Sequence, residues 1–318
     1  MSLLDRKILC EVELNCRTSF SKIAKRLRVN RNVVAYRVKN LEKNGVILKY
    51  ICSVNLGLLG YKTYKICFKV WGGKSSEHDF VEELIKNNQV IYFLKQEGSF
   101  DYSISVVARS ILELDEFLMG IKTRFKELIK DYLVTIVVYT RVFKLNKLLL
   151  DQNQTVLKFD KYSGEEEAIL IDDKDKKILR ELSQAANMPV VELAQKTRLS
   201  IDIIKYRLKF LSKSLINSYR IMYDISKLGY YHYVILLKIR AETKQEEQKL
   251  ISWCYLKRNV LYITKRIGYY DFAINAAITD ISDLNKFLAE LKLKFGEMID
   301  SYDTLINTKV LKLNYVPF

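Results

Sequence analysis

Between Ser19 and Ile47 apolar residues recur at helical spacing. Ile23, Ala24 and Leu27 mark one face of a short helix, and Val34, Val38 and Leu41 follow at i, i+4 and i+7. Asn30 suits the N-cap of this second helix, because its side-chain oxygen can accept a free backbone N–H, and Gly45 reads as its stop. At about 100° per residue, Asn32, Tyr36 and Lys39 fall opposite Val34, on a polar face with Ala35 and Asn40. Upstream, Leu3 to Leu14 places Leu4, Ile8, Leu9 and Val12 on one side and predicts a third helix for the same core. The run Val46 to Ile51 predicts a short strand, the wing of a winged helix-turn-helix.

The period then changes. Tyr64, Ile66, Phe68 and Val70 alternate with Lys65, Cys67 and Lys69, as in a half-buried strand. A helix is predicted around Asp79 to Asn88 and strands at Val90 to Gln96 and Asp101 to Ala108. A second helix follows at Ile111 to Ile129, with Leu114, Phe117, Leu118, Ile121 and Phe125 inward, and a last strand at Val134 to Val142. The order β-α-β-β-α-β is the ferredoxin-like split βαβ. Residues 147–171 lose this periodicity, and Gln152-Asn153-Gln154 and Ser163-Gly164-Glu165-Glu166-Glu167 read as a linker.

Beyond the linker the chain begins again. At a shift of 170 positions Asp5 falls on Asp175, Arg28 on Arg198, Tyr36-Arg37 on Tyr206-Arg207, Gly98 on Gly268 and Asp101 on Asp271. The expected fold is therefore α+β: two winged helix-turn-helix domains alternating with two ferredoxin-like domains. The boundaries read as 1–55, 56–146, a linker at 147–171, then 172–225 and 226–318.

Charge alters this picture most in the first copy. The chain carries 53 Lys/Arg against 37 Asp/Glu, a formal net charge of +16, which favours polyanionic partners. From Arg17 to Lys49 there are ten basic residues and one acid, Glu42; from Asn187 to Tyr219 there are six and two. A helix with a dry face, a polar face and a dense basic surround fits one lying in a DNA groove. Asn32, Tyr36 and Lys39 are then expected at base edges and Arg28, Arg31 and Arg37 at phosphates, with a salt bridge to Glu42 as the alternative duty of Arg37. In the second copy Lys205, Tyr206, Arg207 and Lys209 are the counterparts. Asp202 replaces Asn32 there, so that head is expected to bind DNA more weakly or with different specificity.

Five cysteines without a CxxC pair, and two histidines that do not coincide in the repeat, point to reduced thiols and no metal centre. Neither a signal peptide nor an apolar membrane-spanning run is legible, so the chain is expected in the cytoplasm and, as a DNA binder, at the nucleoid. No nucleophile–base pair or phosphate-binding glycine loop is visible, so neither an enzyme activity nor a cofactor is expected.

Each half resembles a subunit of the Lrp/AsnC (feast/famine) transcription regulators. The resemblance lies in Ile23 to Asn30, in Val34 to Glu42 with Gly45-Val46-Ile47, and in the Gly98-Ser99-Phe100-Asp101 turn of the second domain. Arg28 and Arg198 depart from it, standing where the family has a small residue in the helix-turn-helix turn, which implies a looser turn. The resemblance implies sequence-specific binding to double-stranded DNA and assembly through the ferredoxin-like sheets. The chain would act as a pseudo-dimer that assembles into homo-oligomers. It also implies a small effector, an amino acid or another metabolite, near Gly98, Asp101, Gly268 and Asp271; a tight hairpin is the plainer role for these residues. Two alternatives remain open: a sirohaem decarboxylase-like enzyme, whose group resembles the same plan, and a weakly specific architectural DNA binder.

Overall fold

The structure is a computed structural model that describes residues 1–72, 76–150, 168–240 and 243–318. The first head opens with α1 (Leu3–Leu14), α2 (Phe20–Leu27) and α3 (Arg31–Lys43), each N-capped by a side chain: Ser2, Ser19 and Asn30. The Asn30 cap accepts from the Asn32 N–H at 2.8 Å. Ile8, Leu9, Ile23, Val34 and Val38 close the core between the three helices. Arg28 does not loosen the turn. It takes the left-handed conformation itself, φ 56°, and the next amide, Val29, still bonds the Ala24 carbonyl at 3.1 Å. Arg198 repeats this at φ 57°. A side chain in that region costs about 1 kcal/mol or more, so the head carries local strain in both copies.

After β1 (Ile47–Val54) come β2 (Lys62–Val70), α4 (Ser76–Lys86), β3 (Val90–Glu97), β4 (Tyr102–Ala108), α5 (Ile111–Arg124) and β5 (Ile129–Val142). The next helix, α6 (Leu145–Leu150), packs on α1 with Leu145, Leu148 and Leu149 buried. The expected linker therefore begins too early: residues 147–150 belong to the core of the first head. Its polar runs, 152–154 and 163–167, lie outside the described residues. The second copy runs through α7 (Asp173–Gln184), α8 (Val190–Thr197), α9 (Ile201–Ser214), β6 (Ile216–Tyr223), β7 (Tyr231–Ile239) and α10 (Lys244–Leu256). It ends with β8 (Val260–Ile267), β9 (Phe272–Ile278), α11 (Ile281–Phe295) and β10 (Ile299–Leu313).

The strand after each helix-turn-helix is not a wing of its own head. β1 pairs antiparallel with β6 of the other copy, from Ile47 opposite Tyr223 to Val54 opposite Ile216. The ribbon ties the heads together: Cys16 N–H bonds the Tyr219 carbonyl at 2.9 Å, and Ala186 N–H bonds the Tyr50 carbonyl at 3.2 Å. Arg17 donates to the Ala186 and Met188 carbonyls at 2.7 and 3.0 Å, and one apolar core runs through both heads.

The sheets of the two copies merge as well. Each has the split βαβ order, β5-β2-β4-β3 and β10-β7-β9-β8, and the outer strands pair across copies as β5 with β8 and β10 with β3. The result is one closed eight-stranded barrel rather than two open sheets, and closure removes every unpaired edge. Phe80, Leu84, Leu114 and Phe117 from α4 and α5 pack on Tyr64, Ile66 and Phe68, the outward side chains of β2. The alternate residues, Lys65 and Cys67, consequently point into the barrel instead of into solvent.

Candidate nucleic-acid interface and barrel cavity

On α3, burial of Val34, Val38 and Leu41 turns the opposite face outward. Asn32 and Lys39 are exposed, and Tyr36 is 67% exposed although nothing in the fold needs an aromatic ring there. Arg28 and Arg31, also exposed, flank the start of the helix. Among the described residues no ion pair engages Arg28, Arg31 or Lys39. These five sequence-predicted residues therefore share one open, cationic surface.

Arg37 does not join them. Its guanidinium donates to Asp5 at 2.7 Å and to Ser2 Oγ at 3.1 Å, tying α3 to the start of α1. Glu42, the partner expected from the sequence, instead accepts from the Tyr50 hydroxyl at 2.5 Å. Burial pushes the Asp5 carboxyl up, but the hydrogen bonds from Ser2 and Arg37 outweigh it and hold it below the usual carboxylate value. Arg207 repeats the arrangement with Asp172 at 2.7 Å and Asp175 at 3.0 Å. Arg37 and Arg207 thus take the salt-bridge duty that was the alternative to a phosphate contact, with Asp5 rather than Glu42 as the partner of Arg37. On α9, Tyr206 is 71% exposed beside exposed Lys209, while Asp202 lies 3.9 Å from Lys205 and weakens the positive field.

The Gly-x-x-Asp turns carry structural duties too. Gly98 has φ 132°, and a Cβ there would stand 2.8 Å from Leu305 Cδ2 and 3.0 Å from the Thr304 carbonyl of the other copy. Gly268, φ 141°, meets Thr135 Cγ2 at 2.9 Å in the same way. Asp101 accepts from the Val70 N–H at 2.8 Å and from Lys69 Nζ at 3.0 Å; Asp271 accepts from the Ile239 N–H at 2.9 Å. The four positions expected around an effector fasten the hairpins at the seams of the barrel, and none of them lines its cavity.

That cavity, about 250 Å³, lies inside the barrel beneath the β1–β6 ribbon. Its wall holds Lys65, Arg220, Arg266 and His232 and, among the described residues, no Asp or Glu. Lys65 is 8% and Arg266 6% exposed, and Arg266 Nε has no hydrogen-bond partner. Burial is the main cause that lowers the Lys65 pKa to about 7, with repulsion from Arg266 adding to it. His232 bonds Asn275 at 3.1 Å, and burial lowers its pKa to about 4, so it is neutral at pH 7. Sequence reasoning missed this site because the polar face of an alternating strand looks the same whether it meets water or a barrel lumen. A signal was nevertheless present: at the 170 shift Gln96 becomes Arg266, and Ser105 becomes Asn275.

Two helix-turn-helix heads on one ribbon, over one barrel built from both copies, define a helix-turn-helix protein of pseudo-dimeric build. Residues 1–47 match the winged helix-turn-helix DNA-binding model and residues 171–211 the AsnC-type helix-turn-helix domain. An HTH-type transcriptional regulator of Pyrococcus furiosus is 32% identical over 116 residues, covering 36% of this chain and 78% of its own length. The chain belongs to the Lrp/AsnC family of helix-turn-helix transcriptional regulators. The fold of the whole chain is similar to that of the siroheme decarboxylase NirDL, with TM-score 0.64, 15% identity, and coverage of 99% of this chain and 94% of that one. The same enzyme in complex with an iron-uroporphyrin III analogue aligns with TM-score 0.63 and 14% identity over 100% of this chain and 94% of that one.

Proposed function

We propose that the chain is a sequence-specific regulator that binds double-stranded DNA chiefly through α3 of its first head. The observation that carries this reading is the exposed set Asn32, Tyr36 and Lys39, flanked by Arg28 and Arg31, on the face of α3 away from its core. In this reading Asn32, Tyr36 and Lys39 meet base edges in the major groove, and Arg28 and Arg31 supply the phosphate charge. The second head contributes through Tyr206 and Lys209, but Asp202 makes it the weaker reader. The ribbon holds both heads on one core, so the second head binds at high effective concentration once the first is engaged. Homo-oligomers of this pseudo-dimer and a small-molecule effector complete the reading.

The test is a fluorescence-anisotropy titration of a DNA pool at several salt concentrations. Arg31→Ala with Lys39→Ala should weaken binding by about tenfold or more, and should flatten the slope of log K against log salt by about 1 to 2. Unchanged affinity and slope would overturn the assignment.

A second reading, an enzyme acting on a tetrapyrrole, is favoured by one observation: the acid-free, cationic cavity in a fold that matches NirDL along the whole chain. A visible-absorption titration with iron-uroporphyrin tests it; a shifted Soret band with loss of carbon dioxide would establish it, and an unshifted spectrum would dismiss it.

A further inference from the structure

We propose that the barrel cavity is a binding site for a small organic carboxylate with an apolar or aromatic body, held between Lys65 and Arg266.

Two cations stand in one wall that holds no carboxylate among the described residues. Lys65, on β2, has its Nζ 5.3 Å from the centre of the Tyr92 ring, and no ion pair reaches Lys65 or Arg266 among the described residues. Burying like charges together costs several kcal/mol unless an opposite charge joins them. The two seams of the barrel show what is missing. At one, Gln96 stands opposite Asn307 and donates to it at 2.6 Å, a neutral polar pair. At the equivalent place in the other seam, Arg266 stands opposite Val137, whose side chain can accept nothing from it. The copy that carries the charge offers no side-chain partner for it across the seam. The guanidinium's fork and the ammonium's point charge match a carboxylate, which can accept from both at once.

The rest of the cavity fixes the other half of the ligand. Its wall is dominated by aliphatic and tyrosyl side chains, Tyr92 and Tyr262 among them. An engineered apolar cavity of about 150 Å³ holds a benzene ring. The space here, about 250 Å³, suits a ring with a short acid-bearing chain.

The site also touches the heads. Arg220 of β6 lines the cavity and is ion-paired with Glu13 of α1, which is 2% exposed. An occupant therefore presses on the ribbon from which both heads hang. The effect of occupancy on DNA rests on the proposed regulator function; the binding step does not.

The probes are 3-phenylpropionate, its uncharged amide and acetate, titrated calorimetrically into the full chain at pH 6.5. The acid should bind and raise the melting temperature, whereas the amide and acetate should each be at least tenfold weaker. Arg266→Gln, which restores the residue of the first copy, and Lys65→Met should each weaken the acid tenfold or more, with near-ultraviolet dichroism confirming that each variant is folded. The site is overturned if the acid fails to bind, if acid and amide bind alike, or if both folded variants keep wild-type affinity. A separate anisotropy titration reads the coupling: the acid should change DNA affinity in the wild type and leave Arg266→Gln unaffected. If the acid binds but DNA affinity does not move, the cavity stands and its coupling to the heads is refuted.

Discussion

Replacing Lys65 with methionine should stabilise the unliganded protein, by an amount that shrinks as pH rises. Lys65 sits inside the barrel on β2, 8% exposed, where burial lowers its pKa from 10.5 to about 7. For a base whose folded pKa is depressed, the unfolded chain holds more protons between the two values. Stability must then rise with pH through that window; the penalty is complete below about 7 and absent above about 10.5. At 1.36 kcal/mol per pKa unit the ceiling is about 5 kcal/mol. Water in the cavity screens part of this, and exchanges of buried charges for apolar groups have gained about 1–4 kcal/mol, which is the range expected for Lys65→Met at pH 6.5. The titratable groups around Lys65 do not mimic the effect. His232 is already neutral, burial keeps the Tyr92 hydroxyl protonated, Cys67 is pushed above 9.0, and Arg266 stays charged. The measurement is urea unfolding of both proteins at pH 6.5, 8 and 9, in buffers without organic carboxylates. A variant less stable than wild type at pH 6.5, or a gap that stays constant up to pH 9, would refute the reasoning.

Two further outcomes separate structural from DNA-facing residues. Arg37→Ala should lower stability by roughly 1 kcal/mol, as expected for a half-buried ion pair, yet leave the salt slope of DNA binding unchanged; a slope flattened by about 1 would return Arg37 to the phosphate contacts. Gly98→Ala should cost about 2–3 kcal/mol, because the left-handed backbone and the Thr304 carbonyl both oppose a Cβ, and amide exchange should rise along β3 and β10. Wild-type stability in that variant would show that the seam is more pliable than its distances imply.

The helix-turn-helix and the split βαβ were legible because their periodicities record which side of an element is buried within one copy. Val34, Val38 and Leu41 occupy the core their spacing implied, and Asn30 caps the helix it was expected to cap. What crosses between copies was not legible. β1 looks like a wing because nothing in Ile47–Val54 says that its partner lies about 170 residues away in β6. Lys65 and Cys67 looked solvated because closure of the barrel depends on β5 and β10 reaching the opposite sheet.

The internal repeat nonetheless sorts the residues once the structure is known. Pairs kept in both copies carry the fold: Asp5 with Arg37 is matched by Asp175 with Arg207, and Gly98 with Asp101 by Gly268 with Asp271. Two positions that diverge fall at the surfaces given functional readings: Asn32 becomes Asp202 on the reading helices, and Gln96 becomes Arg266 in the lumen. Tyr36 and Tyr206, like Lys39 and Lys209, are exceptions: they are kept in both copies on exposed helix faces, the rings 67% and 71% exposed. A large ring held twice on the open face of a helix is what the proposed DNA contact calls for. That argues for a DNA contact shared by both heads, with the residues that differ around it deciding which head grips more tightly.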